Sequence, residues 1–310
     1  MASLVRLASR LPPAGRPAAE AIRAVLADGL TRLLANEAGV RGGDVEAVHQ
    51  MRVAVRRLRS DLRTFRPLLN ADWANEQSSA LRPLAASLGA VRDLDVLVER
   101  FDTRGADLAG DLAPMTADLR GLRDVARWAL IESLGSPDHA ALVARVVAAA
   151  REPQLGPLAR GDARDVLSPL VTAAWRRLAR QADPLARALA RDAGAPADTE
   201  LHRARILAKR ARYASEAASQ VMGRRRGRAA ARFARRLADL QQLLGDHQDT
   251  TGLLRELRDG VTNHPADSRM AFAAGRLFER EAEAATQVRE AFPGKWTELR
   301  RPRLRRWLDR

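Results

Sequence analysis

The chain has 310 residues, 46% of them hydrophobic, and a net charge of +15, so it can bury the core of two ordinary domains or one larger one. It has no cysteine, which excludes disulfides, thiolate catalysis and thiolate metal sites. No apolar run approaches the ~18 residues of a membrane span, and a pI of about 11.4 selects anionic partners: nucleic acid, acidic membrane, or an inorganic or nucleotide polyphosphate.

Alanine, leucine and arginine dominate, aromatics are 4% of the chain, and the alternation of β-branched residues that strands need is hard to find. The expected fold is all-α. Residues 1–17 read as a flexible N-terminus of a cytoplasmic protein, without the apolar core and cleavage site of an export signal. A first helix follows Pro17 to about Ala38 and ends at Gly39, Gly42 and Gly43. Asp44 can cap a second helix, which carries His49 and runs to about Leu69. Asn70 or Asp72 restarts a third that reaches about Phe101 and can kink at Pro83. Helical pattern resumes over 114–134 and 137–151, and the prolines and glycines of 152–161 mark a link. Beyond the link the plan repeats: a helix over 162–189, a Gly-Pro turn, a helix carrying His202, and two more over about 227–259 and 265–291. The expected organisation is therefore a helical repeat over 18–151, a linker over 152–161, a second repeat over 162–299 and a basic tail over 300–310.

The repetition is visible in the residues. His49-Gln50-Met51-Arg52-Val53-Ala54-Val55-Arg56-Arg57-Leu58-Arg59 recurs 153 positions later as His202-Arg203-Ala204-Arg205-Ile206-Leu207-Ala208-Lys209-Arg210-Ala211-Arg212, a shared H-x-x-R-x-x-x-[RK]-R-x-R. At ~100° per residue, His49, Arg52, Arg56, Arg59 and Arg63 fall within an arc of about 80°, while Met51, Val55, Leu58, Leu62, Phe65 and Leu69 take the opposite face. His202, Arg205, Lys209 and Arg212 form the same stripe in the second copy, except that Glu216 stands where Arg63 would be. A second match, Leu88-Gly89-Ala90-Val91-Arg92-Asp93 with Leu244-Gly245-Asp246-His247-Gln248-Asp249, lies at an offset of 156. Two matches in the same order at nearly one offset make an internal repeat, and about four helices per half would close a bundle. Small residues at Ala204, Ala208, Ala211, Ser215 and Ala218 predict close packing of the second stripe helix.

A charged stripe is most often a solvated helix face. Such faces mix acids with bases at i,i+4, whereas the arc from His49 to Arg63 holds no carboxylate, and a bound anion would relieve the repulsion. Arginine suits phosphate because its planar fork makes paired hydrogen bonds and keeps its charge; histidine adds a donor that responds to pH. A metal site is disfavoured, because His49 and His202 have Arg52, Val53, Arg205 and Ile206 at i+3 and i+4 and adjacent cations repel a divalent ion. No P-loop, H-E-x-x-H or G-x-S-x-G is present. Asp93 and Asp95 are expected to pair with arginine or cap a helix. The clusters Arg224-Arg225-Arg226-Gly227-Arg228 and Arg300-Arg301-Pro302-Arg303-Leu304-Arg305-Arg306 lie at turns or ends and are expected to be solvated, with at most non-specific attraction to polyanions.

The stripe, its duplication and the L-G-x-x-x-D element resemble the CHAD family, the conserved histidine α-helical domain, over about residues 18–300. The resemblance implies two similar four-helix bundles related by a pseudo-twofold axis, with the basic helices lining a groove or pore that binds inorganic polyphosphate. Its ligand-facing positions would be His49, Arg52, Arg56, Arg59 and Arg63, with His202, Arg205, Lys209 and Arg212 opposite and Arg57 and Arg210 at the stripe's edge. The E-x-E-x-K signature of the CYTH domain often fused to this family is not found, which argues against hydrolysis. The expectation is a standalone, non-catalytic polyphosphate-binding module without a cofactor or metal, associated with polyphosphate granules in the cytoplasm. Nucleic-acid binding is the alternative, and a phosphate-processing enzyme a more distant one. Aromatic stacking platforms or a base-reading helix would favour nucleic acid, and the stripes contain no aromatic, with Tyr213 alone near one.

Overall fold

The computed structural model describes residues 17–191 and 198–308. It is all-α: among the described residues there are ten α-helices, short 3-10 turns and no strand, only two isolated backbone bridges. In chain order the helices are α1 (Ala18–Arg41), α2 (Val45–Thr64), α3 (Ala71–Ala80), α4 (Arg82–Arg104), α5 (Ala113–Leu134), α6 (Pro137–Arg151), α7 (Ala163–Ala190), α8 (Asp198–Val221), α9 (Arg224–Asn263) and α10 (Ser268–Leu299).

Half of the helix starts are written in the side chains. Asp44 accepts the Glu46 N–H, Asn70 accepts those of Asp72 and Trp73, Ser136 that of His139, Asp162 that of Arg164 and Asp267 that of Met270, each satisfying an orphan donor of the first turn. The turn before α2 needs Gly43, whose φ is +80°, a backbone region where a Cβ clashes. Gly29 serves packing instead: a Cβ there would stand 2.6 Å from Leu58 Cγ, so the missing side chain lets α1 lie close against α2.

The boundaries differ from expectation in several places: α1 continues through Gly39 to Arg41, α9 spans Arg224–Asn263 where 227–259 was expected, and α10 continues to Leu299 instead of about 291. The second helix ends at Thr64, and residues 66–68 form a 3-10 turn around Pro67, which has no N–H to continue the ladder. The expected single helix over 70–101 is α3 and α4, separated at Leu81 just before Pro83. Pro169, Pro184 and Pro293, by contrast, are carried inside α7 and α10. The expected Gly-Pro turn before α8 lies outside the described residues.

The core does not divide at residues 152–161. One apolar cluster runs from Ala18 through Met51, Leu88, Leu178, Ala211 and Phe233 to Trp307, and a second joins Phe101, Leu112 and Met115 to Leu253, Leu257 and Leu277. Each draws on both halves of the chain. The cause is length: α9 has 40 residues, about 60 Å of helix, and its far end reaches the end of α4 and the start of α5. The presumed linker is itself docked. Asn70 N–H donates to Gln154 O at 2.8 Å, Gly156 N–H to Leu68 O at 2.9 Å and Ala18 N–H to Gly161 O at 2.9 Å.

Most arginines of the two basic clusters are exposed, as expected, but the segments that carry them are fastened to the fold. Residues 224–228 open α9, with Gly227 buried under Met222 and Ser219. In the tail, Trp307 is buried, its ring 6.2 Å from Phe233, which in turn meets Trp175 and, through it, the stacked Trp296. Arg305 lies 4.9 Å over the Trp175 ring. No helix among the described residues is long and apolar enough to cross a membrane.

Candidate anion-binding site

The two stripe helices meet. α2 buries Met51, Ala54, Val55, Leu58 and Leu62 and turns its cationic arc outward. α8 lies against α9 on Ala204, Ala208, Ala211, Ser215 and Ala218, every one of them fully buried, as the small residues predicted.

At this junction Arg56 is half-buried, and its guanidinium is lowered to about 10 by burial first and then by Arg52 and Arg205 beside it, with Tyr213 and Asp93 opposing. Among the described residues it has no carboxylate within ion-pair distance. Lys209, its counterpart on α8, is half-buried too. Arg205 packs against Gly245 of α9, with a buried Nε that has no hydrogen-bond partner. His49 lies nearby, held below its ordinary pKa by burial and then by Arg92, with Arg52 and Arg56 adding to the effect and Glu46 opposing it. Cations thus crowd together from α2, α4 and α8.

The acid missing from the stripes is supplied from elsewhere. Asp93 of α4 pairs with Arg52 at 2.8 Å. Asp249 of α9 is raised by burial, with the charges of Arg100 and then Arg205 opposing. These are the two aspartates of the repeated L-G-x-x-x-D element, whose purpose the stripe pattern alone could not show. Asp95 goes to Arg127 at 3.1 Å. The absence of acids along one helix therefore overstated how many of its arginines are unpaired.

Other expected site residues separate from this group. Arg57 pairs with Glu216 at 3.0 Å and lies 5.4 Å from the centre of the Tyr213 ring; Arg212 reaches Glu216 at 3.4 Å and covers the same ring at 4.8 Å. Buried Asp61 sits 3.8 Å from Arg57 and is pushed up to about 8, because burial and the Glu216 charge outweigh Arg57. Arg59 donates from Nε to the Ser78 carbonyl at 3.2 Å. His202 bonds Gln248 of α9 at 2.6 Å and borders a cavity of about 760 Å³ with Arg203, Arg255, Arg258 and Arg289. Arg63 and Arg210 line a different cavity, of about 430 Å³, with Arg66 and Arg177. Sequence reasoning missed Arg66 and Arg177, which lie on the 3-10 turn and on α7 outside any motif. It also missed the pairing role of Asp61 and Glu216; the one available signal was Glu216 breaking the repeat.

Among the described residues no group of three histidine, aspartate or glutamate side chains is placed to hold a metal ion. A third cavity, of about 650 Å³ between α4, α9 and α10, mixes Arg92, Arg100 and Arg104 with Glu99, Asp246 and Asp249, so its charge is internally balanced.

An all-helical chain with paired basic helices and partner aspartates is the class this geometry defines. The CHAD domain model matches residues 24–259, and the chain belongs to the CHAD domain family. A solved structure of the CHAD domain from the plant Ricinus communis superposes with a TM-score of 0.72 at 28% identity, covering 94% of this chain and 96% of that one. PptA from Streptomyces chartreusis shares the fold at a TM-score of 0.72 and 23% identity, covering 91% of this chain and 99% of its own. Two uncharacterized proteins of Mycobacterium tuberculosis, MT2285 and Rv2226, are each 27% identical to 90% of the chain. The chain spans about half the length of these curated relatives, 53% in each case.

Proposed function

We propose that this chain binds inorganic polyphosphate at the α2–α8 junction and does not hydrolyse it, Arg56 and Lys209 holding the anion between Arg52 and Arg205. The observation that carries the reading is Arg56: a half-buried guanidinium lowered to about 10 by burial and then by Arg52 and Arg205, without a carboxylate in ion-pair range among the described residues. Burying like charges together costs free energy that an anion recovers. A phosphate chain supplies charge at every link and is thin enough to reach side chains seated between helices, where a rigid duplex is not. The carboxylate that reaches the site, Asp93, is paired with Arg52, which supports binding over phosphoryl transfer. A chain with this site would gather at polyphosphate deposits.

The test is competition between long-chain polyphosphate and duplex DNA at matched phosphate concentration and physiological salt. Polyphosphate should win, and the variant Arg56→Glu, Lys209→Glu should bind it at least about tenfold more weakly, the scale of losing a charge-assisted contact, with the helical circular dichroism intact. DNA binding as well as polyphosphate, or the double variant keeping the parent's affinity for the polymer, would overturn the reading.

A further inference from the structure

The sequence offset of 153 pairs Arg57 with Arg210, Arg59 with Arg212 and Arg63 with Glu216. Where α2 and α8 cross, these residues form two corners that match position for position. In one, Arg57 of α2 meets Glu216 of α8 at 3.0 Å, and Arg212 reaches the same carboxylate from one turn away. In the other, Arg210 of α8 shares a cavity with Arg63 of α2, and Arg59 lies one turn from Arg63. The carboxylate of the first corner is thus replaced by a guanidinium in the second. Arg66 and Arg177 add two more cations from separate elements, and the lining of this cavity of about 430 Å³ includes no acid. Burial first, then Arg63 and Arg177, hold Arg210 below its ordinary value; burial, then Arg63 and Arg82, do the same to Arg59.

We infer that the corner of Arg63, Arg66, Arg177 and Arg210 is a second anion site, which takes the phosphates of a small oligophosphate where its counterpart holds the Glu216 carboxylate. Four arginines brought together from α2, the following turn, α7 and α8 can surround a compact multiply charged group with paired N–H donors. The wall between them is apolar, from Leu170, Ala174 and Leu207, which removes water from one side of the anion and strengthens those contacts. Its size admits a tri- or diphosphate, free or carried on a nucleoside. Arg56 and Lys209 do not line it, so it does not depend on the junction site.

The experiment is calorimetric titration of the full chain with inorganic tripolyphosphate, using Arg56→Glu, Lys209→Glu as the background in which the junction is blocked. Binding should persist there, and adding Arg63→Glu should weaken it at least about tenfold, the scale of losing a charge-assisted contact. Arg63→Glu alone should also raise the melting temperature, because it gives Arg59 and Arg210 the acid that Glu216 gives Arg212 and Arg57. Weaker binding in a more stable protein cannot arise from misfolding. ATP should compete with tripolyphosphate for the corner, whereas adenosine should not. Absence of tripolyphosphate binding in the background variant, binding unaffected by Arg63→Glu, or competition by adenosine would overturn the inference. None of these outcomes bears on whether long polyphosphate binds the junction, which the competition against DNA decides.

Discussion

The two corners at which α2 crosses α8 have matching positions and opposite electrostatics. At one, Glu216 neutralises Arg57 and Arg212, Tyr213 offers both its ring, and buried Asp61 stays protonated up to about 8. At the other, Arg63 takes the place of the acid, and Arg210 and Arg59 are left among cations. A single position, glutamate in one copy and arginine in the other, separates a corner that holds its own carboxylate from one whose lining includes no acid. A basic stripe is thus not one functional unit: part of it is fastened to the fold and part is open to a ligand.

The sharpest way to break this comparison is Glu216→Arg. Removing the shared carboxylate leaves Arg57 and Arg212 unpaired in a half-buried setting, and the expected loss is about 2–4 kcal/mol, read as the shift in urea midpoint. Equal stability of parent and variant would show that the first corner is not held by its ion pairs. The mirror change, Arg63→Glu, should act in the opposite direction and more weakly, by about 0.5–1 kcal/mol, as a partly exposed pair does.

Asp61 gives the comparison a pH axis. Its folded pKa of about 8 lies above the unfolded value of about 3.9, so the fold binds the proton more tightly than the unfolded chain. The stability from this group is complete below about pH 3.9 and is lost as pH rises through the folded pKa near 8. Unfolding of Asp61→Asn followed from pH 4 to 9 should lack that decline and show the variant ahead of the parent at the alkaline end. Parallel curves would place the ionised carboxylate comfortably in the corner.

The smallest effect concerns the histidines, which also differ between copies. His49 is lowered by burial and by Arg92, Arg52 and Arg56, and polyphosphate should raise it by offsetting those charges, so binding should take up protons and strengthen as pH falls toward and below about 6.5. His49→Gln should flatten the dependence of affinity on pH, by less than about tenfold over two pH units. His202 of the other copy is bonded to Gln248 instead; an identical profile for parent and His49→Gln would make His49 structural.

Much of the fold was legible because its cues are local. Asp44, Asn70 and Asp162 marked helix starts that α2, α3 and α7 use, and the alanine face of α8 predicted its close packing. Pro83 signalled a disturbance but not whether a helix bends or breaks, and Pro184 and Pro293 continue inside helices, since the tolerance of a lost N–H depends on what packs around it. The tail read as solvated because its arginines dominate the composition, whereas Trp307, one residue among many cations, is what anchors it.

What the sequence determined by itself was the all-α fold, the two cationic stripes and the register in which they repeat, because periodicity and spacing follow from the geometry of a single helix. Which arginines are engaged was decided only when helices came together. Asp93 to Arg52 and Glu216 to Arg57 join residues 41 and 159 positions apart in the chain. Electrostatic energy depends on distance in space and on burial, neither of which a one-dimensional pattern contains, so the same motif written twice became a closed ion-pair corner in one place and an open one in the other.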